Sequence, residues 1–127
     1  MHVERMPSSW PAVWAVIGNH VQGSDTCEGT IERLFRKRTA QSLPSLSDAN
    51  TSVYIENWDF PRLVSLVEGE PVTHAPYSES GPPVVVRWNG GDTRVDGRRR
   101  IQCIAQQGMH GVFPVLIVEV SGHVGDA

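Results

Sequence analysis

Residues Pro82–Val120 read PPVVVRWNGGDTRVDGRRRIQCIAQQGMHGVFPVLIVEV, and the order of signals in this stretch decides the fold. Pro83–Trp88 is a β-branched run, Asn89-Gly90-Gly91-Asp92 is a tight hairpin turn, and Thr93-Arg94-Val95 is the return strand. Asp96-Gly97 then switches the chain into a helix. Its apolar positions Ile101, Ile104 and Ala105 recur at helical spacing, and Gly108 is placed to end it. Val112–Val120 is apolar throughout most of its length, as a strand buried on both faces must be. Strand, hairpin, strand, helix, strand predicts an α+β domain with a small mixed sheet.

Upstream the pattern is helical first. Ser8-Ser9-Trp10-Pro11 opens a short apolar helix through Ile17 that ends near Gly18–Asn19. A second helix follows, with Ser24 and Asp25 as cap candidates and Ile31, Leu34 and Phe35 on its inner face. Arg33, Arg36, Lys37 and Arg38 are expected on its solvent side. Pro44–Ser52 reads as a loop, Val53-Tyr54-Ile55 as the beginning of a short strand that ends at Glu56, and Asp59-Phe60-Pro61 as the start of a helix through Val67. Pro71–Pro83, with four prolines, is a long irregular connection of the kind that is usually functional or mobile. The expected organisation is one domain, with a helical part over residues 1–45 and a core over 53–120.

The arginines pose the chemical question. Arg94, Arg98, Arg99 and Arg100 fall within seven positions of a chain with a formal charge of −3. A helix start carries a partial positive charge from its free N–H groups, so three arginines in its first turn oppose the dipole and one another. Free amides, dipole and guanidinium forks together favour a bound phosphate, and Gly97 would let it approach closely. The opposing reading is structural. Successive helical residues point about 100° apart, so one arginine can pair with Asp96 or Asp92, another can be solvated and a third can pack over Trp88.

The totals narrow the partners. The chain has 127 residues, 39% hydrophobic and 20% charged, enough for one core. An acidic balance argues against generic attraction to nucleic acid or anionic membrane, so anion binding must be local. No apolar run is long enough to span a membrane, and the N-terminus lacks the pattern of a signal peptide. Cys27 and Cys103 have no CxxC spacing and read as free thiols of a reducing, cytoplasmic setting. Five histidines are scattered without metal-ligand spacing.

Pro82–Val120 resembles the ParB-like (ParB/sulfiredoxin) superfamily. Its pattern is a strand pair, Asp-Gly-x-Arg-Arg, a short helix, a glycine and a final strand containing proline. Trp58–Leu63 can stand where that family has its first helix, and residues 1–70 match only loosely. The resemblance implies that Gly97, Arg99 and Arg100 bind a nucleotide's phosphates and that Asp96 orients the turn. Arg98 stands at the variable place between them and joins the candidate set. Sulfiredoxins carry their catalytic cysteine there, so Arg98 excludes that chemistry, and Cys103 reads as a small core residue. Partition-type members continue into a helical DNA-binding domain, and with this chain stopping at Ala127 centromere binding is not expected. Free-serine kinases of the superfamily use a carboxylate base from the N-terminal part of the domain, and Glu56 is its counterpart here, with Asp59 nearby.

Several functions follow as expectations. A ParB-like protein would bind an NTP, with Mg2+ held by a carboxylate such as Asp92, Asp96 or Glu56, and hydrolyse it or cleave DNA. A non-enzymatic module would grip nucleic-acid phosphate, with Trp58 or Trp88 stacking on bases beside Arg87 and Arg94, although tryptophans more often belong to the core. A third class is an accessory protein of a mobile element acting on a protein partner. There the helix Trp10–Ile17 either forms a homodimer surface or covers one face of the sheet.

Overall fold

The computed structural model describes residues 5–23, 25–47, 50–71, 81–108 and 110–121. In chain order these form β1 (Arg5–Pro7), α1 (Trp10–Ile17), a 3-10 turn (Gly18–His20), α2 (Cys27–Thr39), β2 (Thr51–Asp59), α3 (Phe60–Ser65), β3 (Val84–Trp88), β4 (Gly91–Asp96), α4 (Arg98–Gln107) and β5 (Val112–Val120). The fold is therefore mixed α+β. The strands make one five-stranded sheet in the order β1-β2-β5-β3-β4. β5 pairs antiparallel with β2 along its whole length and parallel with β3, while β1 and β4 are antiparallel edges.

Period-two alternation sends neighbouring residues to opposite faces. Val84, Val86, Leu116, Val118 and Val120 meet Val13 and Ile17 of α1 and Ile31, Leu34 and Phe35 of α2. Val85, Val115 and Ile117 meet Leu63 of α3 and Ile101 and Ile104 of α4. Two helical layers thus sandwich the sheet, and β5 is buried on both faces from Val115 to Val118, as its composition requires. The helix Trp10–Ile17 covers one face, although Trp14 on its outer side stays 44% exposed.

The local signals act where expected in the C-terminal half. Asn89 and Gly90 take φ of 55° and 81°, the left-handed pair of a two-residue hairpin turn. Gly108 ends α4 with φ of 62°. Asp59 caps α3, its carboxylate accepting from the Arg62 N–H at 3.0 Å. That helix stops at Ser65, not Val67.

Upstream, three expectations need correction. Residues 1–45 are not only helical, because Arg5–Pro7 adds an edge strand opposite Tyr54–Glu56. β2 runs nine residues from Thr51 to Asp59 instead of a short strand from Val53 ending at Glu56, since pairing along all of β5 extends it at both ends. The cap of α2 is Thr26, whose hydroxyl accepts from Gly29 N–H at 2.9 Å. Asp25 is drawn off to Arg33 at 3.3 Å, and Ser24 lies outside the described residues. The basic face of α2 is also partly neutralised: Arg33 donates to the His20 carbonyl and the exposed Arg38 pairs with Glu70, while exposed Arg36 and Lys37 have no side-chain partner among the described residues. Most of the connection Pro71–Pro83, namely residues 72–80, lies outside the described residues.

The two cores make matched demands on β5. Leu116→Ala and Ile117→Ala, one on each face, are expected to cost roughly 2–5 kcal/mol each in urea denaturation, whereas Val112→Ala, on a residue 65% exposed, should be near neutral. Equal, small effects at all three positions would contradict burial of β5 on both faces.

Candidate functional site

The arginine turn begins where β4 ends. Gly97 is the N-cap of α4 with φ of 105°, and no side chain caps the first turn, which contains no acidic residue. A Cβ at Gly97 would lie 2.8 Å from the Cα of Pro83. The glycine is thus required by the backbone of the neighbouring segment as well as by its own conformation. Asp96 meets His20 Nε2 at 3.1 Å, which ties the end of β4 to the turn after α1. Arg100 donates to the Gly81 carbonyl and Gln102 to the Pro71 carbonyl at 2.9 Å. Arg99 is exposed and makes no hydrogen bond or ion pair among the described residues.

Arg94, which opens the arginine run in sequence, does different work. It is 7% exposed, and its Nη2 lies 2.7 Å from both oxygens of Glu70. Arg38 reaches the same carboxylate at 2.9 and 3.0 Å. Burial alone would raise the Glu70 pKa, but hydrogen bonds from Arg94 and then Arg38 hold it below the usual range. Burial, with the nearby cations Arg38 and Arg98, lowers the pKa of Arg94. Arg94 is therefore unavailable beside a base-stacking tryptophan. Trp58 is no stacking platform either, at 2% exposed, and Trp88 packs edge-on against Phe35 at 5.9 Å.

Glu56 occupies a second polar assembly. It is 2% exposed on the same face as Tyr54 and Trp58. Arg87 Nη1 donates to its Oε2 at 2.7 Å and Nη2 to its Oε1 at 3.0 Å. Trp58 Nε1 donates to Oε1 at 2.9 Å, and Arg5 Nε to Oε2 at 3.2 Å. The hydrogen bonds from Arg87 dominate over the opposing effect of burial, and Trp58 and Arg62 add to them, so the Glu56 pKa falls to about 2. Such a carboxylate is a weak base at neutral pH. Arg87 also binds Asp92 at 2.8 and 3.1 Å and the Tyr54 hydroxyl at 3.0 Å. Glu56 and Asp92 together raise its pKa further.

The candidate residues thus separate into two places. Asp96, Gly97, Arg98, Arg99 and Arg100 stand together at the start of α4. Glu56 is held by Arg5, Trp58, Arg62 and Arg87, none of them on α4, and Asp59 caps α3. The Arg87–Glu56–Asp92 assembly is absent from the sequence-based reading. Its signal was available: Arg87 and Glu119 interrupt apolar strands at positions whose neighbours two residues away face the core. No group of three or more His, Cys, Asp or Glu residues fit to hold a metal occurs among the described residues, and no helix among them is long and apolar enough to cross a membrane. No protein-family profile, characterised protein or solved structure matches the chain.

Glu56 makes a pH signature. Its folded pKa of about 2 lies below the ordinary 4.5, so its stabilisation is complete above pH 4.5 and is lost as pH falls towards 2. Glu56→Gln should destabilise the protein by about 3 kcal/mol at pH 7 and flatten the acid limb between those values, by urea titrations at several pH values. An unchanged limb would show that the ion pairs are not formed in solution. Gly97→Ala should cost about 2 kcal/mol or more through strain and contact with Pro83, whatever the ligand status; a neutral result in thermal unfolding would overturn that account.

Proposed function

We propose that this chain binds the phosphate groups of a nucleotide at the start of α4, as its resemblance to ParB-like proteins implies. The observation that carries the reading is Arg99, an exposed cation in the first turn of an uncapped helix, with no hydrogen-bond or ion-pair partner among the described residues. Its charge opposes the helix dipole and receives no structural compensation there, whereas an anion at the first-turn amides would reverse the sign of both terms. Arg98 and Arg100 flank it on the same turn. The need for Gly97 is met by Pro83 packing, so the glycine supports the reading less than the arginines do.

In this reading an NTP is the ligand, and its hydrolysis or the cleavage of DNA is the reaction that the same grip on phosphate would serve. Asp96 stands one residue before the turn and is fixed by His20, which makes it the better placed carboxylate to hold Mg2+ or orient water. Glu56 is a poorer base, because Arg87 and Arg5 already neutralise it. A non-enzymatic module is the second reading, favoured by the exposed Trp14 on α1 and the exposed Arg36 and Lys37 on α2.

Calorimetric titration with ATP, CTP, ADP and a short single-stranded DNA, with and without Mg2+, tests both. Nucleotide should bind saturably, and Arg99→Ala should weaken it about tenfold or more with no change in melting temperature. Binding of DNA alone, with a steep salt dependence, would favour the module. Nucleotide affinity equal in wild type and the Arg99→Ala/Arg100→Ala variant would sink the proposed site.

A further inference from the structure

A cleft of about 550 Å³ opens at the hairpin end of the sheet, and Arg62, Arg87, Asn89, Asp92, Glu119 and Ser121 line it. It is separate from the arginine turn. Asp92 is the second residue of β4 and Gly97 follows its last, and five steps along the strand put roughly 16 Å between the two places.

Arg62 is held there unusually. Its guanidinium carbon lies 3.9 Å from the centroid of the Trp58 ring, a ring that is itself buried and anchored to Glu56. The carboxylates nearest to Arg62 are already taken. Arg87 bonds Glu56 and Asp92 at 2.7–3.1 Å, and Arg5 takes the remaining side of Glu56. Arg62 is left at 3.9 Å from Glu56 and 3.6 Å from Asp92, beyond hydrogen-bond length. Its side chain thus has its charge compensated, its face stacked and its in-plane N–H groups without a hydrogen bond among the described residues. A stacked guanidinium keeps its donor edge free for a planar or tetrahedral oxyanion. Across the same cleft, Glu119 accepts from the Tyr54 hydroxyl through Oε1 at 3.0 Å, and Oε2 has no hydrogen bond among the described residues. Ser121 adds a hydroxyl beside it.

We propose that this cleft is a binding site for a small hydroxylated oxyanion, whose carboxylate or phosphate group takes the donor edge of Arg62 while its hydroxyls donate to Glu119. The volume lies within the range of small-molecule sites. The charges of Arg5, Arg62 and Arg87 balance those of Glu56, Asp92 and Glu119. Specificity therefore comes from the placement of donors and acceptors, and affinity is modest. Glycerol, which lacks the anion, should not bind.

The test is a titration of the 15N-labelled full chain with glycerol 3-phosphate, glycerate and glycerol, followed by amide shifts. Saturable shifts at Trp88–Gly90 and Ser121 with either anion, absent with glycerol, are expected. Binding of both anions identifies the shared oxyanion; binding of one alone restricts the class to phosphates or to carboxylates. Arg62→Gln should weaken binding about tenfold or more, and Arg62→Lys, which keeps charge but not the fork, should not restore it. Arg99→Ala should leave it unchanged. Three outcomes would overturn the proposal: no saturable shift at the cleft, shifts confined to Arg98–Arg100, or wild-type affinity in Arg62→Gln. If Arg62→Gln does not fold, the wild-type shift map and Arg62→Lys decide.

Discussion

β5 is hydrogen-bonded on both sides, antiparallel to β2 and parallel to β3, and its central residues Val115–Val118 are buried on both faces. A strand in that position cannot leave either face to water, so the chain must supply an apolar layer above and below the sheet. α1 and α2 provide one and α3 and α4 the other. Parallel pairing of β3 with β5 also demands a crossover, and the β4–α4 segment supplies it. The arginine turn is the point where that crossover changes from strand to helix, which fixes its place at one end of the sheet.

The charges follow from the same constraint. Strands that serve two cores have little room for polar side chains, so each one that points inward must be satisfied. Glu56 is satisfied by Arg87, Trp58 and Arg5, and Arg87 reaches on to the exposed Asp92. Farther along the edge strand β4, Arg38 from α2 and Arg94 close on Glu70. These bonds join elements from both helical layers around β4 and keep that edge strand from offering an open ladder. On the other edge, three-residue β1 ends in Pro7, which has no N–H to donate. Arg5 and Arg87 are thus committed to Glu56, and Arg38 and Arg94 to Glu70, and this makes the exposed Arg99 informative.

The arginine turn is tied to its neighbours by contacts separate from any ligand. Gly97 packs on Pro83 at a distance that admits no side chain, Asp96 is held by His20, and Arg100 and Gln102 bind carbonyls of Gly81 and Pro71. A first turn fixed in this way presents its amides and its exposed guanidinium with little reorganisation, a condition under which charge-assisted contacts to phosphate are effective.

The sequence by itself determined the C-terminal half: the Asn89-Gly90 hairpin, the helix from Arg98 to Gly108 and the doubly buried Val112–Val120 are all local patterns of period, turn residue and cap. It also marked Asp96–Arg100 as one cluster, since those residues are adjacent in the chain. Only the tertiary structure decided the rest. The length of β2 and the existence of β1 depend on pairing with distant strands, and pairing leaves no mark on three residues such as Arg5–Pro7. Likewise Glu56 belongs to Arg87 and Arg5 because strand pairing puts them within reach, and Arg94 to Glu70 because the segment after α3 passes beside β4, across 24 to 51 positions of sequence. A charged residue's neighbours along the chain say where charge is concentrated; its neighbours across the sheet say whether that charge is already neutralised.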